Sequence, residues 1–174
     1  FLADKYPGHQ IASTYNPAEV FEDQLKKCGV EYFDYYLLHN VCENSLDTYL
    51  DEKWGIIPYF IEQRKAGRIR RLGFSSHGGV EMLEGFLAKY GKDMEFCQLQ
   101  LNYMDVNYQA GLEGMRLAHE KGLALVVMEP LRGGLLASLT PEAETILKAA
   151  HPDWTVASWA FRWLQRHANV LVML

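Results

Sequence analysis

The stretch YFDYYLLHN, residues 32–40, is almost entirely apolar until it ends on His39 and Asn40. It is too short and too aromatic to form a helix of its own, and its residues are those that strands favour. A strand that is apolar on both faces is typical of a parallel sheet covered by helices. The stretch therefore predicts a buried parallel strand that carries an imidazole at its carboxyl end.

The same kind of run recurs along the chain, and a helical pattern separates each run from the next. The predicted strands are 1–5, 32–39, 68–76, 95–102, 123–130 and a sixth that starts at Val170. The predicted helices are 17–28, 47–66, 79–90, 107–121, 141–149 and 154–167. Asn16 and Asp153 are the expected caps of the first and last helix, since such side chains accept hydrogen bonds from helix N–H groups.

Strands that alternate with helices imply right-handed parallel crossovers, and two architectures fit: a doubly wound open sheet and a closed (β/α)8 barrel. No strand is followed by GxGxxG, so the dinucleotide-binding fingerprint of the open fold is missing. A complete barrel has about 250 residues and eight strands, whereas this chain has 174 residues and both its ends lie inside strand-like runs. We expect an incomplete TIM barrel, a single partial domain over residues 1–174 that lacks the first two βα units and the C-terminal end of the barrel.

The composition excludes several classes of function. Hydrophobic residues make up 49% of the chain and charged residues 22%, which fits a soluble globular unit. A net charge of -5 with scattered Lys and Arg argues against nucleic acid or an anionic membrane as the main partner. No apolar run reaches the roughly 20 residues that span a bilayer, so we expect no membrane span, and we also expect no signal peptide. The three cysteines lack CxxC spacing, so we expect a cytoplasmic protein with reduced thiols.

The residues at the carboxyl ends of the predicted strands, and in the turn that follows the fifth, are mostly polar. They are Lys5, His39, Asn40, Ser75, Ser76, His77, Gln98 to Asn102, Met128, Glu129, Arg132, Gly133 and Gly134. In a barrel these strand ends converge on one mouth, so the residues are expected to share a single site. Taken singly, each also has an ordinary structural role open to it, such as helix capping for the serines or core packing for Met128.

In this order, the residues resemble the aldo-keto reductase family, the NAD(P)H-dependent barrel enzymes that reduce aldehydes and ketones. The resemblance lies in FLADK, EDQLKKCGVEYFDYYLLHN, RKAGRIRRLGFSS and MEPLRGGLL, and it covers about the family's third to eighth barrel strands. YYLLHNV, GFSSHG and VVMEPLRGGLL are most similar to a bacterial and archaeal branch. Members of that branch often carry a C-terminal ferredoxin-like extension with iron–sulfur cysteines, and this chain holds no such cysteine cluster.

The resemblance implies hydride transfer from a reduced nicotinamide to the carbonyl carbon of a small molecule, with Lys5 and His39 as catalytic residues. The cofactor would be NADP(H) or NAD(H), and the branch leaves room for an iron–sulfur cluster in a part of the parent protein beyond this chain. No metal ligand, nucleic acid partner or membrane partner is implied. The residues expected to bind the cofactor are Ser75, Ser76, Gln98, Met128, Glu129, Leu131, Arg132 and Gly133.

The chain departs from the family pattern at Met128, where many members have an aromatic residue that stacks on the nicotinamide. Many members also have Ser or Asn at the positions of Ser76 and Glu129. The family's catalytic tyrosine and its partner aspartate belong to strands before Phe1, so the isolated chain is expected to be inactive. Two alternatives stay open: a non-catalytic barrel subunit that binds nicotinamide cofactor, and another barrel enzyme such as a metal-dependent lyase or hydrolase.

Overall fold

The computed structural model describes residues 1–10 and 16–174. In these residues six parallel strands form one sheet, and their order in the sheet is their order in the chain. The strands are β1 (Ala3–Tyr6), β2 (Phe33–Leu38), β3 (Ile69–Ser76), β4 (Phe96–Gln100), β5 (Ala124–Met128) and β6 (Val170–Met173). A doubly wound sheet reverses its strand order at a switch point, and the described sheet does not, so the barrel alternative is correct.

Helices connect the strands. They are α1 (Pro17–Cys28), α2 (Leu46–Leu50), α3 (Ile56–Lys65), α4 (Val80–Tyr90), α5 (Gly111–Glu120), α6 (Pro141–Ala150) and α7 (Val156–Gln165). Within the described part of the chain, none of them is long and apolar enough to cross a bilayer.

The boundaries predicted for α1 are confirmed. The Asn16 side chain accepts a hydrogen bond from the N–H of Ala18 at 2.8 Å, and Pro17 occupies the first helical position. Gly29 ends the helix with a φ of 66°, a conformation that costs glycine little because it has no Cβ.

The prediction of one helix over 47–66 is wrong, because the segment forms α2 and α3 with a break at Asp51 to Gly55. Asp51 has extended backbone angles, and Gly55 has a φ of 56°, which no α-helix contains. The apolar positions Leu50, Trp54 and Ile57 keep a helical spacing across the break, and this spacing was the source of the error.

Two other helices begin later than predicted. The fourth predicted helix was expected from residue 107, but α5 begins at Gly111, after a turn in which the Tyr108 N–H donates to the Asp105 carbonyl. The cap of α7 is Thr155, whose hydroxyl accepts from the N–H of Ser158 at 3.2 Å, and not Asp153. The cap of α7 differs by two residues, which is within the usual scatter of helix ends. The start of α5 differs by four residues, because the turn at Asp105 to Tyr108 precedes the helix.

The outer face of the sheet holds the hydrophobic core, because the helices cover it. Strand side chains alternate between two faces, and those of Tyr36, Leu72, Phe74, Leu99 and Leu125 point to the helices and are 0–2% exposed. Aromatic rings pack closely between α1, α3 and the first strands. The ring centroid of Phe60 lies 4.9 Å from that of Tyr36 and 5.0 Å from that of Tyr6.

The inner face of the sheet carries the other set of alternating side chains and lines a cavity of about 390 Å³. Its walls include Ala3, Lys5, Leu37, Phe96 and Gln98 from β1, β2 and β4. This face is the side on which a closed barrel has its lumen.

Candidate active site

The predicted site residues lie at one rim of the sheet, because all six strands run in the same direction. The strand register aligns them across neighbouring strands. Ser75 of β3 pairs with Gln98 of β4, and Gln100 of β4 pairs with Met128 of β5. Lys5 pairs with Leu37, which precedes His39 by two residues. Lys5 and His39 therefore share a rim, as the barrel interpretation requires.

Lys5 and Gln98 meet across the inner face. The Lys5 Nζ atom donates a hydrogen bond to Gln98 Oε1 at 3.0 Å. Their strands, β1 and β4, are separated in the sheet by β2 and β3. Curvature of the sheet brings the two side chains together, although they are 93 positions apart in sequence.

The environment of Lys5 combines a fixed backbone with a half-buried ammonium. Burial lowers the pKa of Lys5 below its ordinary value, since desolvation disfavours the charged form. The Gln24 side chain of α1 donates from Nε2 to the Lys5 carbonyl at 2.9 Å and accepts the Tyr36 hydroxyl at 2.5 Å. Gln24 thus fixes the backbone of β1 at Lys5.

Gln98 also contacts the predicted nicotinamide neighbour on β5. Its Nε2 atom donates to the Met128 sulfur at 3.5 Å. A thioether is a weak acceptor, so a stronger acceptor, such as a carboxamide oxygen, can take this contact from Met128. The side chain of Gln98 therefore fits a ligand that carries a primary amide.

Hydrogen bonds fix the backbone of His39 at both its N–H and its carbonyl group. Its N–H donates to the Tyr6 carbonyl at 2.9 Å, and its carbonyl accepts the Tyr49 hydroxyl at 2.6 Å. The residue after it, Asn40, has a φ of 54°, which redirects the chain sharply at the strand end. His39 is half-buried, and its imidazole is carried by a backbone that these hydrogen bonds fix.

The two predicted serines lie on different faces of β3. Ser75 pairs with Gln98 on the inner face, and its hydroxyl accepts from the N–H of Asn40 at 2.9 Å. Ser76 pairs with Leu99, and its hydroxyl accepts from the N–H of Gly78 at 3.0 Å. The structure brings Ser75 together with Gln98 and keeps Ser76 in the turn that leads to α4.

The turn after β5 has four residues with positive φ: Glu129 at 58°, Arg132 at 50°, Gly133 at 63° and Gly134 at 94°. Successive backbone N–H groups in such turns can bind an anion. Here the N–H groups of Arg132 and Gly134 donate within the turn, to the carbonyls of Glu129 and Leu131, both at 3.0 Å. The Gly133 N–H donates to the Glu129 Oε2 atom at 2.5 Å. Glu129, Leu131 and Gly133 line a cavity of about 280 Å³ beside this turn.

An aspartate that the sequence did not single out pairs with the one arginine of this turn. Asp105 Oδ2 lies 3.2 Å from Arg132 Nε and accepts a hydrogen bond from Asn102 Nδ2 at 3.0 Å. Asn102 is buried and also donates to the Glu129 carbonyl at 3.1 Å. Asp105 lies on a loop, three residues after a predicted polar position. That proximity was the one signal in the sequence that pointed to it.

The amino-terminal rim of the sheet has a larger cavity, about 520 Å³, lined by Arg64, Arg70 and Arg71. Arg70 lies 2.8 Å from an Asp34 carboxylate oxygen. Arg64 and Arg71 lie 3.9 Å and 3.7 Å from the Glu95 carboxylate. Each guanidinium already has a carboxylate neighbour, so this cavity is a weaker candidate for a site than the opposite rim.

Metal binding has no support in the described residues. Within residues 1–10 and 16–174, no three or more His, Cys, Asp or Glu side chains are grouped so that they could hold a metal ion. The rim presents an ammonium, an imidazole, amides and a hydroxyl, of which Lys5 and Gln98 are in direct contact, and these groups suit an organic ligand.

Solved structures with similar folds are aldo-keto reductases. An aldo-keto reductase from Bacillus halodurans is 22% identical with a TM-score of 0.73, and the match covers 99% of this chain and 59% of that chain. An enzyme from Brucella melitensis is 24% identical with a TM-score of 0.71, covering 100% and 61%. One from Klebsiella pneumoniae, in complex with NADP and acetate, is 22% identical with a TM-score of 0.73, covering 99% and 58%.

These likenesses show a shared TIM-barrel fold, and the chain spans about 60% of the length of the structures it matches. No curated protein matches the chain. The model of the aldo/keto reductase family matches residues 1–174, the whole of the sequence. The chain therefore belongs to the aldo/keto reductase family.

Proposed function

We propose that residues 1–174 are one part of a NAD(P)H-dependent carbonyl reductase, a single partial barrel domain within a longer cytoplasmic protein. The observation that carries the proposal is the 3.0 Å contact between Lys5 Nζ and Gln98 Oε1. This contact joins Lys5, which is expected to act on a proton donor, with Gln98, which is expected to hold the nicotinamide amide. A reductase needs both functions within one site.

The cofactor residues have separate tasks in this proposal. Bound NAD(P)H supplies the hydride. Gln98 and Ser75, which pair in register, hold the carboxamide and so decide which face of the nicotinamide is presented. Met128 packs against the ring in place of the usual aromatic residue. The turn that Glu129 begins after β5 would receive the pyrophosphate through Leu131, Arg132 and Gly133, and Ser76 keeps the neighbouring turn in place.

The catalytic residues act on charge at the substrate oxygen. A tyrosine hydroxyl has an ordinary pKa near ~10 and donates poorly at neutral pH. The Lys5 ammonium favours the ionised form of such a proton donor, which lies outside this chain, and so lowers its pKa. His39 donates a ring N–H to the carbonyl oxygen and stabilises the charge that develops there.

Two findings support a nicotinamide dinucleotide, NADP(H) or NAD(H), as the cofactor. The Klebsiella pneumoniae structure, which shares the fold, contains NADP. The donors at the rim of this chain, an amide N–H of Gln98, the Gly133 N–H and the Arg132 guanidinium, fit a nicotinamide amide and a pyrophosphate, which both cofactors carry. An iron–sulfur cluster elsewhere in the parent protein remains a prediction from the sequence resemblance.

The test is carbonyl-dependent oxidation of NADPH and NADH by the full-length protein, with a panel of small aldehydes and ketones. We expect turnover with at least one carbonyl compound, and none with residues 1–174 alone. Nucleotide binding without turnover on any carbonyl would favour the non-catalytic barrel subunit. Stoichiometric zinc or magnesium in the purified protein would favour a metal-dependent enzyme instead.

A further inference from the structure

We propose that Glu129 and Asp105 are internal competitor anions, which occupy the anion donors of the 131–134 turn and must be displaced when a dinucleotide binds. This inference rests on the proposed function, because it concerns the regulation of the same cofactor site. It assigns to the two carboxylates a role that opposes binding.

Glu129 occupies the backbone donor of the turn. Its Oε2 atom accepts the Gly133 N–H at 2.5 Å, and hydrogen bonds to an ionised carboxylate are stronger than those between neutral groups. Glu129 has a φ of 58°, which is unfavourable for a residue with a side chain, and Gly133 has a φ of 63°. The strained backbone turns the carboxylate towards a donor that a phosphate oxygen would use, and both residues line the same cavity of about 280 Å³.

Asp105 occupies the side-chain donor of the turn. Its Oδ2 atom lies 3.2 Å from Arg132 Nε. The same oxygen accepts from Asn102 Nδ2 at 3.0 Å and from Gln100 Nε2 at 3.3 Å, so the carboxylate is anchored to the end of β4 and to the loop that follows it. Only 12% of the Asp105 side chain is exposed, whereas 47% of the Arg132 side chain is exposed. The arginine is therefore the partner that can move towards a ligand.

The side chains of Glu129, Asp105 and Arg132 together carry a charge of -1 when no ligand is bound. A pyrophosphate group would approach two carboxylates and one guanidinium, and like charges a few ångströms apart repel each other even in water. Binding therefore requires Glu129 to release the Gly133 N–H and Arg132 to exchange Asp105 for phosphate. Removing either negative charge is expected to tighten the binding of an anion.

A different role for Glu129 makes the opposite prediction. If its carboxylate instead stabilised the turn in a binding-competent conformation, loss of the side chain would make the turn less ordered and weaken the binding of an anion. Glutamine at this position keeps an oxygen for the Gly133 N–H and removes the charge, whereas alanine removes both. The pair E129Q and E129A thus separates repulsion by charge from support by a hydrogen bond.

The experiment titrates the full-length protein with inorganic pyrophosphate by calorimetry and, in parallel, with NADPH by nucleotide fluorescence. The expected result is about tenfold tighter binding of both ligands by E129Q and E129A, and about threefold tighter binding by D105N. D105N keeps an acceptor for Asn102 and gives a second route to the same conclusion if Glu129 variants do not fold. The matched control is E144Q, since Glu144 Oε1 also accepts a backbone N–H, that of Leu139 at 3.2 Å, away from the turn.

Unchanged or weaker pyrophosphate binding by both E129Q and D105N overturns the inference. Tighter pyrophosphate binding by these variants, without NADPH binding by any form of the protein, upholds the inference and rejects the proposed function. NADPH binding with equal affinity by wild type, E129Q and D105N upholds a nucleotide site and rejects the competitor role.

Discussion

The side chains on the two faces of the sheet have different roles. On the outer face Tyr36, Phe74 and Leu125 are fully buried beneath helices. On the inner face Tyr35 and Val172 remain 39% and 44% exposed, and the rim carries the polar contact between Lys5 and Gln98. Burial of apolar surface stabilises a fold, whereas burial of polar groups without partners destabilises it. Stability and chemistry are therefore separated by the alternation of side chains along each strand.

The largest effect is expected on the outer face. Phe60→Ala in the full-length protein should lower the free energy of unfolding by about 4 kcal/mol, because a fully buried ring in contact with Tyr36 and Tyr6 leaves a cavity. Urea denaturation measures the loss. Ile146→Ala is the control, since its side chain on α6 is 71% exposed and should change stability by less than about 0.5 kcal/mol. Equal losses in the free energy of unfolding of the two variants would show that the outer face does not hold the stabilising core.

The next effect is on the inner face. Lys5→Met should reduce turnover by about three hundredfold, roughly 3.4 kcal/mol of transition-state stabilisation, because the proton donor loses its neighbouring ammonium. The free energy of unfolding should change little. Steady-state kinetics with NADPH and the best carbonyl substrate measure the loss, and Lys148→Met on the exposed face of α6 is the control. Near-normal turnover by Lys5→Met would show that Lys5 is not a catalytic residue.

A smaller loss is expected at the end of β2. His39→Ala should reduce turnover by about a hundredfold, near 2.7 kcal/mol, through the loss of one donor to the substrate oxygen. Nucleotide affinity should stay the same, since His39 is not among the residues proposed to hold the cofactor. The exposed His119→Ala on α5 serves as the matched control. A variant that binds NADPH poorly but turns over normally would contradict the assigned role.

The smallest expected effect concerns the Cys97 thiol, which should not react with an alkylating reagent. Cys97 faces the core from β4, and burial raises the pKa of its thiol to about 12, because the thiolate is the form that desolvation disfavours. The thiolate is the species that reacts with alkylating reagents. Iodoacetamide at pH 8 should therefore modify the exposed Cys28 and leave Cys97 intact in the native protein, as read by mass spectrometry. Modification of Cys28 and Cys97 at similar rates would show that the helices do not protect the outer face of the sheet from the reagent.

The strands and their direction followed from the sequence because apolar runs and helical spacing are local signals. The cap at Asn16 and the stop at Gly29 were equally local and are confirmed. The break between α2 and α3 was missed, since the left-handed conformation of Gly55 overrides an apolar spacing that continues through it. Local patterns thus predict elements better than they predict their interruptions.

The candidate site was predictable as a set of strand ends but not as a set of contacts. Strand order alone brings Ser75 beside Gln98. Gln24, Tyr49 and Asp105 were missed because each acts through a tertiary contact: with the Lys5 carbonyl, the His39 carbonyl and the Arg132 guanidinium. The spacing of the sequence gives no signal for the contacts of Gln24 and Tyr49, and for Asp105 it gives only closeness to Asn102. The roles of the rim residues in binding and catalysis stay predictions until the variants are measured.

The bond from Lys5 to Gln98 makes the site sensitive to the bending of the sheet. Neighbouring strands are about 4.8 Å apart, so in a flat sheet three such steps would hold β1 and β4 roughly 14 Å from each other. The observed 3.0 Å between the two side-chain tips exists because the sheet coils. A mutation that unrolls it, even one remote from the rim, would pull the ammonium from the amide. A pair of spectroscopic labels on β1 and β4 would therefore act as a ruler for the shape on which the chemistry depends.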